Sequence, residues 1–395
     1  MKYSLSDICE YVKDKIDVGL LNKMTYISTE NMLPNRGGLK PAVALPDTKT
    51  TRAFCKGDVL VSNIRPYFKK IWFATFDGGC SNDILVFRAR DGINKQFLYY
   101  ILANDNFFKY SMATSKGTKM PRGDKKAIME YGVPVYSARE QEKLVSILNS
   151  IDQKIQINNK INENLAEQIK EICTRCFSDR SLFNRVLPND WSKTTLAAVA
   201  NFISGYSYKG NELADSNVAM ATIKNFDRKR GFKLDGYKEI VPSGKLKETQ
   251  HVELFDTLVA HTDLTQNAAV IGNAELVISK SNYDDIIFSM DLVKVIPKEK
   301  RISKFLIAAI LQDERFKTHC LGYINGTTVL HLSKKALPEY PIYLPNDLSA
   351  LIPLDKIFTN LYQQIAINIE ENLNLQILRD ILLIKLMSET RDILR

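Results

Sequence analysis

Residues 117–135 read GTKMPRGDKKAIMEYGVPV, and residues 326–344 read GTTVLHLSKKALPEYPIYL. Seven of the nineteen positions are identical at one fixed offset of 209, where average amino-acid usage would give about one match by chance. The likeness extends outward from this passage. FLYYILANDNFFKY at 97–110 is similar to FLIAAILQDERFKTH at 305–319. Asp58-Val-Leu60-Val61 matches Asp256-Thr-Leu258-Val259, and Leu5-Ser-Asp-Ile8 has a weaker counterpart in Leu196-Ala-Ala-Val199. A period near 210 residues is far too long for a solenoid and denotes a tandem duplication of one domain plan.

Each half opens with a head of mixed character. DVLVSNI, DILVFRA, TLVAHTD and MDLVKVIP are short, apolar and β-branched, which predicts strands. The two FL-initiated segments predict helices, and loops rich in glycine and lysine lie between. The expected fold class is therefore mixed α/β (α+β) in both heads.

Each half then changes to a single long helix. Ser137-Ala-Arg-Glu140 is a capping box, and no proline follows until Pro188. Steps of four and three from Leu144 land on Leu148, Ile151, Ile155, Asn158, Asn162, Leu165, Ile169, Ile172 and Cys176. The same steps from Leu354 land on Phe358, Leu361, Ile365, Asn368, Asn372, Leu375, Arg379, Leu382 and Leu386. Such heptad seams keep one stripe of a helix against a partner helix. A helix of about 40 residues is roughly 60 Å long. The expected architecture is two similar globular heads separated by an antiparallel coiled coil of the chain's own two helices. Its segments are 1–136, 137–185, 186–344 and 345–395. Asn158, Asn162, Asn368 and Asn372 sit at equivalent seam positions. A buried amide is satisfied only opposite a polar partner, so these four are candidates for setting the register of the helix pair.

Size and composition bound the function. The 395 residues suggest two or three domains, and 45% hydrophobic content is enough for real cores. The net charge of +9 favours a polyanionic partner. The N-terminus has no apolar run after its lysine. The longest wholly apolar stretch is FLIAAIL at 305–311, well short of a membrane span. Six cysteines at 9, 55, 80, 173, 176 and 320 are too sparse for a disulfide scaffold, so a reducing cytoplasm is expected. Cys173 and Cys176 form a CxxC without a second pair, which favours plain thiols over zinc. The chain has no GxxxxGK[ST] loop, no GxGxxG, no HExxH and no amino-methyltransferase Asn-Pro-Pro-Tyr motif. No acid-x-Lys strand follows Pro46-Asp47. Intrinsic catalysis is not expected, and neither is a metal site.

What remains is a set of basic loops with aromatic and glycine residues. In the first head these carry Arg65, Tyr67, Lys69 and Lys70, and then Thr118, Lys119 and Arg122. In the second they carry Lys209, then Lys224, Arg228, Lys229 and Arg230, and then Thr327 and Thr328. Lysine and arginine neutralise phosphates and release counterions, while arginine and hydroxyl side chains also reach base edges.

Taken in order, head, helix, head, helix, the chain resembles the specificity (S) subunits of type I restriction–modification enzymes. Gly117-Thr118, Lys125-Lys126, Val133-Pro134-Val135 and Glu140-Gln141 carry the resemblance. Gly326-Thr327, Lys334-Lys335 and Pro341-Ile342 repeat it. The second copy lacks the Glu-Gln pair and reads Pro345-Asn-Asp-Leu at its helix start. The resemblance implies a non-catalytic chain whose heads are target recognition domains, each reading one half of a split double-stranded DNA target. The helices would act as the spacer. Partners would be two methylation (M) subunits that carry S-adenosylmethionine, and restriction (R) subunits that bind ATP. No cofactor would sit on this chain. A coiled-coil adaptor whose two heads bind nucleic acid or protein is the alternative.

Overall fold

The computed structural model describes residues 3–134, 136–179, 181, 186–228 and 230–387. Val135, Lys229, the expected boundary at 185 and the last eight residues lie outside the described residues. The chain forms two compact units, one of residues 1–155 with 374–395, the other of residues 156–373.

In the first unit, a four-stranded antiparallel sheet runs in the order Cys9–Tyr11, Ile84–Ala89, Val59–Ser62, Ile71–Phe73. A second sheet joins Lys15–Asp17, Thr50–Phe54, Gly78–Cys80 and Tyr26–Ile27. The expected 97–110 helix is two helices, Lys95–Ala103 and Asp105–Ala113. The break falls at Asn104, which is extended (ψ 140°) and caps the second helix by accepting from the Asn106 N–H. Asparagine competes with the helix backbone for its own hydrogen bonds, which is why it starts helices better than it continues them.

The second unit repeats this plan. Its main sheet runs Ala200–Ser204, Leu292–Pro297, Thr257–Ala260, Ala274–Leu276. Again two helices, Lys304–Leu311 and Glu314–Leu321, replace one expected helix, with Asp313 as the cap between them. The weak match at Leu5 and Leu196 is also structural. Both open a one-turn helix, Leu5–Ile8 and Leu196–Val199, and both backbone N–H groups donate to a tyrosine carbonyl, of Tyr131 (2.8 Å) and Tyr340 (2.9 Å). Asp58 and Asp256 close the same turn, each accepting from a backbone N–H three residues earlier, at Cys55 (2.8 Å) and Glu253 (2.9 Å).

Two long helices serve both units. The first, Ala138–Cys173, begins in the first unit and ends in the second; the other, Ile352–Met387, runs from the second unit to the first. Its start is a 3₁₀ turn, Leu348–Leu351, capped by Asp347, which takes the place of the missing Ser and Glu box. The core of the first unit includes Leu144, Val145 and Leu148 from one helix with Leu383 and Leu386 from the other. The second core includes Ile169, Cys173 and Cys176 with Phe358 and Tyr362. Within each unit the two helix segments are antiparallel. Asp152 meets Arg379 (2.9 Å) in the first. In the second, Asn158 meets Asn372 and Asn162 meets Asn368.

The seam asparagines are paired. Asn158 Nδ2 donates to Asn372 Oδ1 (2.9 Å) and to Glu371 Oε2 (2.8 Å), and Asn368 Nδ2 donates to Asn162 Oδ1 (2.7 Å). Asn372 Nδ2 donates to Asn159 (2.9 Å). Asn158, Asn368 and Asn372 are buried. Replacing Asn158 alone by Leu removes the donor that serves Asn372 and Glu371, and should lower stability by about 1–3 kcal/mol. The pair Asn158→Leu with Asn372→Leu should recover part of that loss. Urea denaturation of the full chain distinguishes the two, and a fully stable single variant contradicts the role of the amides.

Candidate nucleic-acid interface

The repeated Gly-Thr passages are hairpin loops in both units. Gly117 and Gly326 hold φ of +93° and +104°, a region that L-residues rarely adopt. At Gly326 a Cβ would lie 2.2 Å from the Val329 carbonyl oxygen, so only glycine closes this turn. Thr118, Lys119, Thr327 and Thr328 are exposed on these loops.

In the first unit the structure joins two of the basic segments. The Arg65 N–H donates to the Pro121 carbonyl (2.8 Å), and Ile64 and Arg122 form a bridge. This sets Arg65 and Tyr67 beside the hairpin that carries Thr118, Lys119 and Arg122. Arg65 and Lys69 have positive φ on either side of the one-turn 3₁₀ helix Pro66–Phe68, which pushes Tyr67 out to 47% exposure. Arg65 Nε has no hydrogen-bond partner among the described residues. Arg122 pairs with Asp83 (3.1 Å), both partly open to solvent. Lys69 and Lys70 are turned to internal work. Lys69 Nζ donates to Asp105 (2.8 Å), and Lys70 Nζ donates to the Thr29 carbonyl (2.6 Å), where burial lowers its affinity for a proton.

In the second unit Gln266 holds the hairpin, donating to the carbonyls of Thr327 (2.6 Å) and Thr328 (3.2 Å). Lys209 is exposed ahead of a short 3₁₀ turn. Lys224 and Arg228 are exposed on a separate loop, closed by the Asp227 N–H donating to the Gly231 carbonyl (2.9 Å). Arg230 does not join them at the surface. Its guanidinium donates to the Gln312 carbonyl and pairs with Glu314 (3.2 Å). Beside it the buried Glu275 accepts from the Gly231 N–H (2.8 Å), and burial pushes its carboxyl up to about 7.

Sequence reasoning does not single out Asn63, Asp83, His261, Asp291 or His331, which lie at the roots of the two hairpins, or Gln266, which holds the tip of the second. The histidines carry no ligand spacing, and among the described residues no group of His, Cys, Asp and Glu could hold a metal. Cys173 and Cys176 are buried; Cys173 Sγ donates to the Ala309 carbonyl, and burial raises both thiols. The signal that could have found the hairpin roots is the repeat itself, extended residue by residue.

Three comparisons bear on this arrangement. A family model described as the type I restriction modification DNA specificity domain matches residues 1–167. The type I restriction enzyme MjaVIII specificity subunit of Methanocaldococcus jannaschii is 24% identical over 266 residues, which cover 63% of this chain and 59% of that protein. The EcoDI specificity subunit of Escherichia coli is 26% identical over 149 residues, 36% of this chain and 31% of that one. The chain thus spans less than two thirds of the length of these relatives. The crystal structure of a type I restriction–modification S subunit from M. genitalium has a TM-score of 0.55 at 17% identity, and covers 99% of this chain and 96% of that one. At that identity the likeness is one of fold.

Gly326→Ala should destabilise the chain by about 1–3 kcal/mol, more than Gly117→Ala, whose added Cβ would have 3.5 Å to its nearest neighbour. Paired denaturation curves test the order. For Glu275 the folded value lies above the unfolded one, so its contribution is present below about pH 4 and is lost as pH rises through about 7. Glu275→Gln should therefore gain stability relative to the parent between pH 5 and pH 8. Equal pH profiles for the two proteins contradict the assignment.

Proposed function

We propose that this chain is a specificity subunit of a type I restriction–modification enzyme, like the proteins it resembles, that it reads a bipartite DNA target, each unit taking one half, and that partner subunits methylate adenine at the sites it selects. The observation that carries this reading is the pair of glycine-closed, threonine-bearing hairpins. One stands in each unit, at the same place relative to the same four-stranded sheet order. Each hairpin brings exposed hydroxyls to a basic surface, with Lys119 and Arg122 in the first unit and Lys334 in the second. Cationic side chains of this kind neutralise phosphates, and the hairpin side chains between them reach base edges.

The proposal assigns the shared helices the part of spacer. It also assigns them part of the docking surface for two methylation subunits. In the first unit Ile377, Leu378, Ile381 and Ile384 are all about half exposed on the second long helix, an apolar stripe of the type that marks a protein interface. In the second unit Ile157, Ile161 and Ile367 are exposed on the same two helices. S-adenosylmethionine would sit on the methylation subunits and ATP on the restriction subunits, with this chain acting in the cytoplasm as the non-catalytic reader. No helix among the described residues is long and apolar enough to cross a membrane.

Genome-wide methylation sequencing with and without the gene should show one bipartite adenine-methylated motif that disappears on deletion. Persistence of every methylated motif contradicts the proposal. Lys119→Ala in the assembled complex should weaken binding about equally for all sequences and reduce the salt slope by about one.

A further inference from the structure

The two units hold the hairpin root on one backbone frame. In the first unit the Asn63 N–H donates to the Asp83 carbonyl (2.8 Å), and the Asn63 carbonyl accepts from the Gly123 N–H (3.3 Å). In the second the His261 N–H donates to the Asp291 carbonyl (2.8 Å), and the His261 carbonyl accepts from the Leu332 N–H (2.9 Å). Ile64 bridges Arg122, which bridges Lys116. Thr262 pairs with His331, which pairs with Asn325. Asn63, Ile64, Asp83 and Arg122 therefore stand where His261, Thr262, Asp291 and His331 stand. Of the four positions only the aspartate is the same residue in both.

On this shared frame Asn63 and Thr262 are buried, while the aspartate and the Arg122 or His331 side chain beside it are partly or fully open to an incoming partner. The Arg122 and Asp83 side chains are 58% and 40% exposed while paired at 3.1 Å. In the second unit Asp291 Oδ1 accepts from Thr262 Oγ1 (3.1 Å). A cleft of about 570 Å³ opens there, lined by Ser207, His261, Asp291, His331 and Lys334 among others. Burial, with His331 and Lys334 close by, holds His261 below the usual imidazole range against the pull of Asp291. A neutral ring can donate at one nitrogen and accept at the other.

We propose that these positions determine specificity: Asp83 and Arg122 select the bases read by the first unit, and His261, Asp291 and His331 those read by the second. The inference deepens the DNA-reading proposal and rests on it. Base pairs differ at their edges in the arrangement of donors, acceptors and methyl groups. An arginine fork matches the two acceptors of guanine, and a carboxylate accepts from the exocyclic amino group of cytosine. The two units put different sets of groups on one frame, so they read different half-sites with the same approach to the duplex.

The test uses the full chain assembled with its methylation subunits, with methylated motifs read by sequencing. Asp83→Asn and Arg122→Ala should relax or change one half of the motif and leave the other intact. Asp291→Asn and His331→Ala should do the reverse. Discrimination at the affected base pair should fall about 10-fold or more. The Asp→Asn changes keep side-chain shape, so they report on base reading even if an alanine variant folds poorly. An unchanged motif with all four variants, with methylation still proceeding, overturns this inference and leaves the DNA-reading proposal standing. An unsubstituted assembly that methylates no bipartite motif sinks that proposal and this one with it.

Discussion

The antiparallel seam of the two long helices is the constraint on which both units depend. Neither head closes its core alone. The first needs Leu144, Val145 and Leu148 from the start of one helix and Leu383 and Leu386 from the end of the other. The second needs Ile169, Cys173, Phe358 and Tyr362. The helices are therefore structural walls of the heads as well as connectors. In the first unit they are also tied down by polar contacts: the Tyr136 hydroxyl donates to the Leu386 carbonyl (2.9 Å), and Asn104 donates to the Leu383 carbonyl. A slip along the seam would break these contacts in the first unit and the amide pairs in the second. Register is therefore specified at several points. The first core joins residues about 240 positions apart, which makes it non-local in sequence.

The seam was legible in the sequence because a period of 3.5 residues is local information. The steps that run through Asn158, Asn162, Asn368 and Asn372 need no knowledge of the heads. The duplication was legible for the same kind of reason, and its weakest match, Leu5 with Leu196, still corresponds to one hydrogen bond made twice. The helix breaks at Asn104 and Asp313 were not legible. Both lie inside apolar-periodic runs, where a cap residue looks like a tolerated polar position until the backbone is seen to turn extended. Sheet order and the second sheet of the first unit also come from long-range pairing that periodicity does not encode.

For the candidate interface, residue type could be read but not accessibility. Lys69, Lys70 and Arg230 look like Lys119 and Arg228 in a list of basic residues. The difference lies in what the fold puts beside them. Asp105 and the Thr29 carbonyl take the two lysines, and the Gln312 carbonyl and Glu314 take the arginine. A net charge of +9 thus overstates the cationic surface, since part of it is used inside the heads.

The aspartate at each hairpin root bears most directly on how a basic protein can also be selective. On the proposed reading, lysines and exposed threonines on the loops would attract any duplex, and that attraction carries no sequence information. Asp83 and Asp291 would oppose it, since a carboxylate near phosphates is unfavourable for every sequence alike. It becomes favourable only where a base edge offers an amino group at the right place. Elsewhere it leaves a desolvated charge without a donor, and discrimination of this kind comes from the cost imposed on wrong partners. In the first unit the Arg122 guanidinium pairs with the carboxylate, and in the second the Thr262 hydroxyl donates to it, so on the proposed reading a base edge would compete with these partners. The trade gives up general affinity for selectivity, and a protein that carries its excess positive charge on neighbouring loops can make that trade in both units.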